Sequence, residues 1–293
     1  MLFEENSYSV VMPVYNSFEN LDSVVKEFEH VFIEVGFQAE LILVDDASNE
    51  ETKIKVEQIA RAKNFVKTIR LKKNSGQIAA TTCGIHYARG SSIITMDDDL
   101  QYPMQEVLKL IAHHQQSGKK IIFGYPRKRM HSFRHRIAAQ LVIWLFDYII
   151  MPRYRNINFY TTFRIFDRSL FFDEQNRILQ RHLFYLWEIP VSDMDSMVVE
   201  HHVRTTGTST YTLAKQVRHL FPQILITVLR LSLISLAAVI ITAIVLVSFG
   251  LLQSTFFYVI ATGSVFLSVT ALIAKILLEK KRTVNYEIEK TTE

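Results

Sequence analysis

Three adjacent carboxylates, Asp97, Asp98 and Asp99, follow a short run of apolar and β-prone residues. Like charges repel one another and an unpaired carboxylate is costly to bury, so we expect a cation beside them. Clustered carboxylates favour Mg²⁺ or Mn²⁺, and Mg²⁺ is usually shared between one or two carboxylates and substrate phosphates. Successive side chains of a strand point to opposite sides. We therefore predict that Asp97 and Asp99 bind a divalent ion with Gln101 as a further oxygen ligand, and that Asp98 points away.

The position of these aspartates favours a ligand site over two common alternatives, a solvated loop and the capped N-terminus of a helix. They stand at the predicted carboxyl end of a buried strand. Polar residues also follow two other predicted strands, in "PVYNS" (Pro13–Ser17) and "DDAS" (Asp45–Ser48). Ligands of open α/β sheets bind beyond the carboxyl ends of the strands. Three segments of the chain therefore bring polar groups to one edge of the sheet.

Short apolar runs alternate with helical patterns over the first 126 residues. The predicted strands are "YSVVMPVY", "AELILVDDAS", "FVKTIRLKK", "SSIITMDDD" and "KKIIFGYP". Amphipathic segments separate them, and the last of these helices opens at Pro103. This alternation predicts an α/β fold with a mainly parallel sheet covered by helices on both faces. Neither G-x-G-x-x-G nor G-x-x-x-x-G-K-[ST] is present, so a dinucleotide-binding Rossmann domain and a P-loop are not supported.

The composition changes near the C-terminus, where Leu231–Ala274 contains no Asp, Glu, Lys, Arg or His. One membrane-spanning helix needs about 20 apolar residues. We predict two spans, Leu231–Phe249 and Phe256–Ala274; the alternative is a buried helical hairpin in a soluble protein. Basic residues flank the hairpin on both sides and its connecting loop is uncharged. Positive flanks stay inside, so we expect an inner-membrane protein whose termini and N-terminal domain are cytoplasmic.

A second segment with a possible membrane role runs from Arg127 to Arg155. Five Lys or Arg residues fall within Arg127–Arg136, and the apolar stretch Ile137–Met151 follows. The segment fits either a core helix beside a solvated loop or an interfacial helix whose basic flank meets anionic headgroups. The predicted organisation is a core at 1–126, an acceptor side with interfacial helices at 127–223, a transmembrane hairpin at 224–278 and a cytoplasmic tail at 279–293.

Several segments resemble a known family. "VVMPVYNS", "ELILVDDASNEET", "KNSGQIAATTCGI" and "MDDDLQYP" are similar, in this order and spacing, to family 2 glycosyltransferases with the GT-A fold. "FGYPRKR", "TTFRIFDRS" and "RTTGTSTYTLAKQ", followed by a two-span hairpin, resemble the polyprenyl-phosphate sugar transferases, which include dolichol-phosphate mannose synthase and undecaprenyl-phosphate glycosyltransferases. The resemblance extends over nearly the whole chain.

The resemblance implies roles for particular residues. Those implied to hold the nucleotide are Pro13, Tyr15, Asn16, Asp45, Asp46, Ser48, Gln77, Asp97 and Asp98. The implied metal ligands are Asp97, Asp99 and Gln101. The residues expected to contact the acceptor or its phosphate are Arg127, Arg129, Arg134, Arg204 and Ser209. The catalytic set is Asp97, Asp98, Asp99, Arg127 and Arg204.

Two departures from the family pattern bear on these roles. Asp98 replaces the small residue that usually separates the two metal-binding aspartates, which leaves its function open. Thr210 stands where family members often have lysine, so either Arg204 acts without that lysine or a neighbour such as Lys215 substitutes for it.

The implied reaction is the inverting transfer of one sugar from a nucleoside-diphosphate sugar to a polyprenyl phosphate. The acceptor phosphate is mostly ionised at neutral pH because its second pKa lies near ~6, so no dedicated base is needed; Asp98 is the candidate if one exists. The Q-x-x-R-W motif of processive synthases is absent, which favours a single transfer. Expected partners are the donor, the lipid acceptor and the bilayer, with a possible homo-oligomer and no nucleic acid. The alternative function is a catalytically silent sugar-nucleotide sensor or a flippase accessory protein.

Overall fold

The computed structural model describes residues 7–126, 157–158, 161–172, 189–202, 241, 263, 265, 269 and 286–292. The strands among them are β1 (Tyr8–Val14), β2 (Ala39–Asp45), β3 (Val66–Leu71), β4 (Ser92–Thr95), β5 (Ile121–Pro126), β6 (Arg164–Asp167), β7 (Met194–Val199) and β8 (Ile288–Thr291). The α-helices are α1 (Phe18–Phe28), α2 (Glu50–Ala62), α3 (Gln77–Tyr87) and α4 (Met104–Ser117).

The described strands form one mixed sheet in the order β7-β5-β6-β4-β1-β2-β3-β8. Its centre is parallel: Val10 on β1 pairs with Leu41 on β2 and with Ile94 on β4, and β2 pairs in parallel with β3. Strand β6 is antiparallel to both β4 and β5, and β8 is antiparallel to β3. The carboxyl ends of β1, β2, β3 and β4 therefore meet at one edge.

The five strands and the four helices expected in the first 126 residues all form, and the α/β class is confirmed. The sheet is less parallel than predicted because β6 and β8 insert in the opposite direction. Strands β6 and β7, which follow residue 126, extend the sheet that the first five strands begin. Likewise, the segment assigned only as a tail supplies the edge strand β8.

Local signals set the helix ends. The side chain of Asn49 accepts a hydrogen bond from Thr52 N at 3.0 Å and caps α2, which satisfies one of the amide groups left unpaired at a helix start. Pro103 directly precedes the first helical residue of α4, and Gly118 ends that helix at φ 63. Helix α1 continues into a π-helical turn at Glu29–Ile33, which shortens the regular helix relative to the predicted one.

Strand β1 lies at the centre of the hydrophobic core. Val10 and Met12 are fully buried in the core cluster that contains α1 residues such as Phe28. On the other face, α3 packs closely against β1, because a Cβ on Gly84 would lie 2.4 Å from Val11 Cγ1. Glycine at position 84 thus allows α3 to approach the strands, and α3 carries part of the candidate site at its N-terminus.

The chain divides into two compact units. The first contains all of the strands and helices named above, and the second comprises Ile143–Pro152 and Thr208–Thr283. Within the described part of the chain, no helix has both the length and the apolar character needed to cross a bilayer. The two predicted spans lie outside the described residues except for Ile241, Gly263, Val265 and Val269, which are helical and exposed. The predicted interfacial segment 127–155 also lies outside them.

Candidate active site

The loop after β1 is attached to the end of β2 by two hydrogen bonds. Asn16 N donates to Ser48 Oγ at 3.0 Å, and Asn49 N donates to Asn16 Oδ1 at 2.8 Å. Asn16 has φ 53, a left-handed conformation that asparagine adopts more readily than most residues. The neighbouring Tyr15 is 48% exposed, so the loop presents an aromatic ring to solvent at this edge.

Asp45, at the end of β2, is 1% exposed and both of its oxygens accept hydrogen bonds. Oδ1 accepts from Ser48 N at 2.8 Å, and Oδ2 accepts from the guanidinium of Arg70 on β3. Arg70 Nη2 also donates to Ser48 O at 3.2 Å. Asp45 and Arg70 therefore fix the turn that carries Ser48, and Asp45 has only its remaining lone pairs to offer a ligand.

Asp46 connects β2 to the start of α3. Its Oδ1 accepts from Ser75 N at 2.7 Å and its Oδ2 from Gly76 N at 2.8 Å. Burial raises the pKa of this carboxyl, and the two backbone hydrogen bonds oppose that shift. Gly76 has φ 89, which favours glycine, and it places Gln77 as the first residue of α3. Asp46 thus positions the residue that contacts the aspartate cluster.

Asp97 accepts hydrogen bonds from two separate segments. Gln77 Nε2 donates to Oδ1 at 2.5 Å, and the hydroxyl of Thr162 donates to Oδ2 at 3.0 Å. Thr162 is itself tied to β4, since Thr95 Oγ1 donates to Thr162 O at 2.6 Å. The Asp97 carboxylate is consequently oriented by α3 on one side and by the segment before β6 on the other.

A buried cation lies beside Asp97. Arg164 begins β6, is 5% exposed, and its Nε donates to Thr95 Oγ1 at 3.2 Å. Burial lowers its pKa to about 10 although the charge of Asp97 favours the protonated form. A pKa of about 10 leaves the guanidinium charged at neutral pH. Arg164 therefore supplies permanent positive charge next to the aspartate cluster.

Asp98 and Asp99 are also buried, but their neighbours differ. Burial raises the pKa of Asp98 to about 7; a hydrogen bond with the Ser17 side chain opposes the shift, and the charges of Asp97 and Asp99 add to it. Asp98 Oδ2 has no hydrogen-bond partner among the residues that the structure describes. Asp99 Oδ1 accepts from Gln101 N at 3.2 Å. Because β4 ends at Thr95, the three aspartates follow the strand, and strand alternation does not decide which way they point.

The end of β7 holds the segment that follows the aspartates. His202 N donates to Gln101 O at 2.7 Å. The ring of Tyr102 stacks on Phe163 with centroids 4.5 Å apart and meets His201 edge-on at 4.9 Å. The backbone of Gln101 is thereby fixed between β7 and the segment before β6.

The residues present fit a divalent ion. Three carboxylates occur in three successive positions, and Asp98 has a buried oxygen without a hydrogen-bond partner in the described part of the chain. Oxygen ligands of this kind suit Mg²⁺ and Mn²⁺. Within the same described residues, no group of three or more His, Cys, Asp or Glu side chains is arranged to hold a metal ion by itself. Mg²⁺ in proteins is commonly shared between one or two carboxylates and phosphate oxygens, which suits a site of this kind.

The structure places the predicted residues of the strand ends at one edge of the sheet. Hydrogen bonds join Asn16 to Ser48, Asp46 to the residues preceding Gln77, and Gln77 to Asp97. Pro13 lies on β1, directly before this edge. The predicted phosphate contacts lie outside the described residues: Arg127, Arg129, Arg134, Arg204 and Ser209.

The residues of this network that were not predicted include Arg70, Thr162 and Arg164. Arg70 stands in the apolar pattern of β3, where a charged residue next to the strand end is itself a signal. Thr162 and Arg164 belong to the "TTFRIFDRS" segment, which carried the resemblance but gave no strand pattern long enough to place it beside β4. Only the sheet order brings them to Asp97.

A family model described as "Glycosyl transferase family 2" matches residues 9–184, which is more than half of the chain. The chain belongs to glycosyl transferase family 2. The matched range includes the hydrogen-bonded residues of the site described above except His202, which lies beyond it.

Two relatives are similar to this chain over most of its length. Dodecaprenyl-phosphate galacturonate synthase of Rhizobium johnstonii is 26% identical over 219 residues, covering 72% of this chain and 63% of that protein. Undecaprenyl-phosphate 4-deoxy-4-formamido-L-arabinose transferase of Salmonella paratyphi B is 29% identical over 224 residues, covering 73% of this chain and 65% of that protein. The chain thus spans less than two thirds of the length of these relatives.

Solved structures share the fold. Glucosyl-3-phosphoglycerate synthase from Mycobacterium tuberculosis, in complex with Mn²⁺ and uridine-diphosphate-glucose, matches with a TM-score of 0.54 at 13% identity, covering 76% of this chain and 79% of that chain. TarS of S. aureus in complex with UDP-GlcNAc matches with a TM-score of 0.50 at 14% identity, covering 76% of this chain and 66% of that chain. The α/β architecture is therefore of the GT-A type.

Proposed function

We propose that this chain transfers one sugar from a nucleoside-diphosphate sugar to a polyprenyl phosphate, with inversion at the anomeric carbon and with Mg²⁺ or Mn²⁺ as cofactor. The observation that carries the proposal is that the ends of β1, β2 and β4 lie at one edge of the sheet, where both oxygens of Asp97 accept hydrogen bonds from Gln77 and Thr162. The names of the relatives, which are polyprenyl-phosphate sugar transferases, support the class of acceptor.

The donor nucleotide binds across the ends of β1 and β2 in this proposal. Tyr15 is exposed there, and Asn16 and Ser48 are hydrogen-bonded to each other beside it. Asp45 and Asp46 act mainly by holding the backbone in place, because their oxygens already accept hydrogen bonds. Substrate positioning of this kind lowers the entropy cost of the reaction.

The diphosphate lies next to the aspartate cluster. Asp97, Asp99 and Gln101 would hold the divalent ion, which stabilises the negative charge that grows on the departing diphosphate. Arg164 places a buried positive charge beside Asp97, since the charge of Asp97 favours the protonated guanidinium. Arg127 and Arg204 are proposed phosphate contacts outside the described residues. The acceptor phosphate attacks as its ionised form, so the proposal assigns no general base.

A membrane location is part of the proposal because the acceptor is a lipid. The uncharged stretch Leu231–Ala274 supports two spans. Ile241, Val265 and Val269 are helical and between 48% and 62% exposed, an exposure of apolar side chains that suits contact with lipid. Val265 and Val269 are four residues apart and so share one helix face.

The test uses membranes that contain the full chain. They are incubated with Mg²⁺ or Mn²⁺, a polyprenyl phosphate and a panel of radiolabelled nucleoside-diphosphate sugars, and the lipids are then extracted. We expect labelled lipid with at least one donor. Labelled lipid should disappear with Asp99→Asn, because that change removes a charged oxygen ligand of the proposed ion.

Asp22→Asn is the matched control, since the Asp22 side chain is 72% exposed and pairs with Lys55 on the surface. It should leave transfer unchanged. Absence of labelled lipid with every donor would contradict the proposal and favour a silent nucleotide-binding or flippase-accessory role. Full activity of Asp99→Asn would contradict the role of Asp99 as a metal ligand and would leave the proposed sugar transfer standing.

A further inference from the structure

Strand β8 completes the sheet at the edge formed by β3, although more than 200 residues separate them in sequence. Arg70 pairs with Lys290 and Ile69 with Thr291 in antiparallel register. Further bonds lie at both ends of the pairing: Lys72 N donates to Glu287 O at 2.8 Å, and Thr292 N donates to Thr68 O at 3.0 Å. The strand is therefore held along its full length.

One side chain of β8 reaches the candidate donor site through a single intermediate. Arg70 Nε donates to Glu289 Oε2 at 3.0 Å, while its Nη atoms donate to Asp45 Oδ2 and Ser48 O. Burial acts to lower the pKa of Arg70, but the carboxylates of Asp45 and Glu289 raise it overall. The guanidinium therefore connects an acid on β8 with two groups at the end of β2.

A second contact ties the same segment to α3. The hydroxyl of Tyr286 lies 2.5 Å from His86 Nδ1 and is hydrogen-bonded to the buried thiol of Cys83. Both partners lie on α3, whose first residue, Gln77, donates to Asp97. Residues 286–292 thus contact β3, whose Arg70 donates to Asp45, and α3, whose Gln77 donates to Asp97.

We propose that Tyr286 and strand β8 position the donor site, and that Glu289 is a positioning residue that orients Arg70 and, through it, Asp45 and Ser48. The inference rests on the proposed function, in which this edge of the sheet binds the nucleotide. Glu289 does not touch the substrate. Its role is to fix one side of a planar guanidinium so that the other side holds the β2 turn in a single geometry.

The expected effect follows from exposure and geometry. Glu289 is half exposed, so its own pair with Arg70 is screened by solvent. We expect Glu289→Gln to weaken nucleotide binding by about two- to fivefold. Arg70→Lys removes the planar fork that reaches Asp45 and Ser48 together, and should weaken binding about tenfold or more.

The experiment measures binding and transfer with the full chain in lipid nanodiscs. Calorimetry gives the Kd for UDP and for GDP with Mn²⁺, and transfer assays give the KM for the donor and for the polyprenyl phosphate. Glu289→Gln should raise the nucleotide Kd and the donor KM and leave the acceptor KM unchanged. In the Arg70→Lys background it should have no further effect, because Glu289 acts through Arg70.

Glu287→Gln is the matched control. Glu287 lies on the same segment, and it pairs with Lys72 at 3.3 Å where both side chains are more than half exposed. It should leave every constant unchanged. Melting temperatures of the variants distinguish the positioning role from a merely structural one. A merely structural role would lower the melting temperature of Glu289→Gln and leave its donor KM unchanged.

Two outcomes would overturn the inference while the proposed function stands. In the first, the wild-type protein binds a nucleotide and Glu289→Gln binds it equally well. In the second, Glu289→Gln and Glu287→Gln weaken nucleotide binding to the same extent. If the wild type neither binds UDP or GDP nor transfers sugar, the proposed function fails, and the positioning role fails with it.

Discussion

Thr162 and Asp97, 65 positions apart in sequence, are hydrogen-bonded with 3.0 Å between the hydroxyl oxygen and Oδ2. The bond joins the segment before β6 to the loop after β4. It shows that the orientation of the first aspartate depends on an antiparallel strand that the motif itself does not contain.

Replacing Thr162 by valine should lower transfer by about tenfold to a hundredfold. A hydrogen bond to a charged group contributes about 1.5–3 kcal/mol, and each ~1.4 kcal/mol is a factor of ten in rate. The measurement is kcat/KM for sugar transfer. Thr162→Ser retains the hydroxyl and should keep most of the activity; equal losses in both variants would show that the hydrogen bond is not what matters.

Arg164→Met should destabilise the protein, because it leaves Asp97 and its neighbours without a buried positive charge. Removing one member of a fully buried charge pair costs about 3–5 kcal/mol, and the cost here is smaller because Asp97 is only half-buried. Thermal unfolding followed by intrinsic fluorescence measures the effect. Adding Asp97→Asn should recover part of the lost stability, since the charge that faced Arg164 is then gone. A melting temperature equal to that of the wild type would contradict this role.

The central part of this fold was predictable because its strands are local and apolar. Val10–Val14 and Leu41–Val44 read as buried strands from sequence, and the polar residues that follow them lie where the rule for open α/β sheets places them. The family and the site at the strand ends followed from the same segments.

The rest depended on pairings between distant residues. Strands β6 and β8 have four residues each, and β8, "IEKT", has no apolar run. Such strands form because the edges of β4 and β3 are otherwise unpaired, and the local sequence of β6 or β8 does not indicate this. The direction of Asp97 and Asp98 was similarly hidden: β4 ends at Thr95, so contacts with Gln77, Thr162 and Ser17 replace strand alternation.

Gly84→Ala should destabilise the protein by about 1–3 kcal/mol, the usual cost of overpacking a core. A Cβ at this position would lie 2.4 Å from Val11 Cγ1 and 2.9 Å from Val44 Cγ2, so α3 would have to move away from the sheet. Thermal unfolding measures the effect. The double variant Gly84→Ala/Val11→Ala removes the closest contact and should be more stable than Gly84→Ala alone. If the two variants have the same stability, the contact with Val11 is not the cause of the destabilisation.

Cys83 should resist alkylation at pH 7.5. Burial raises the pKa of its thiol to about 12, and the reactive thiolate is therefore scarce. Mass spectrometry after maleimide treatment should find no adduct on the folded chain and one adduct after denaturation in SDS. Labelling of the folded chain at the rate of a free thiol would contradict the buried environment.

The same shift predicts how stability depends on pH. A thiol whose pKa is raised in the folded state contributes its stability below the unfolded value near 9.0, and this contribution is lost as the pH rises towards about 12. The pKa of the neighbouring Tyr286 is raised as well, chiefly by burial. The melting temperature should therefore fall between pH 9.0 and 12, and Cys83→Ala should reduce that fall.

An unreactive Cys83 makes the proposed topology testable with one introduced cysteine. Thr255→Cys lies between the two proposed spans, and a membrane-impermeant maleimide should label it from outside intact cells. Asp22→Cys, on the exposed surface of α1, should be labelled only after permeabilisation. The reverse pattern would refute the orientation.

The pairing of β8 with β3 has a consequence for synthesis. Strand β8, the partner of β3, is translated only after residues 203–285. The edge of β3 that β8 will cover therefore stays unpaired until those residues have left the ribosome. Closing a loop this long is slow compared with the local pairings of β1 to β4. The sheet can therefore reach its final form only after β8 has been translated, and until then its open edge needs protection from association with other chains.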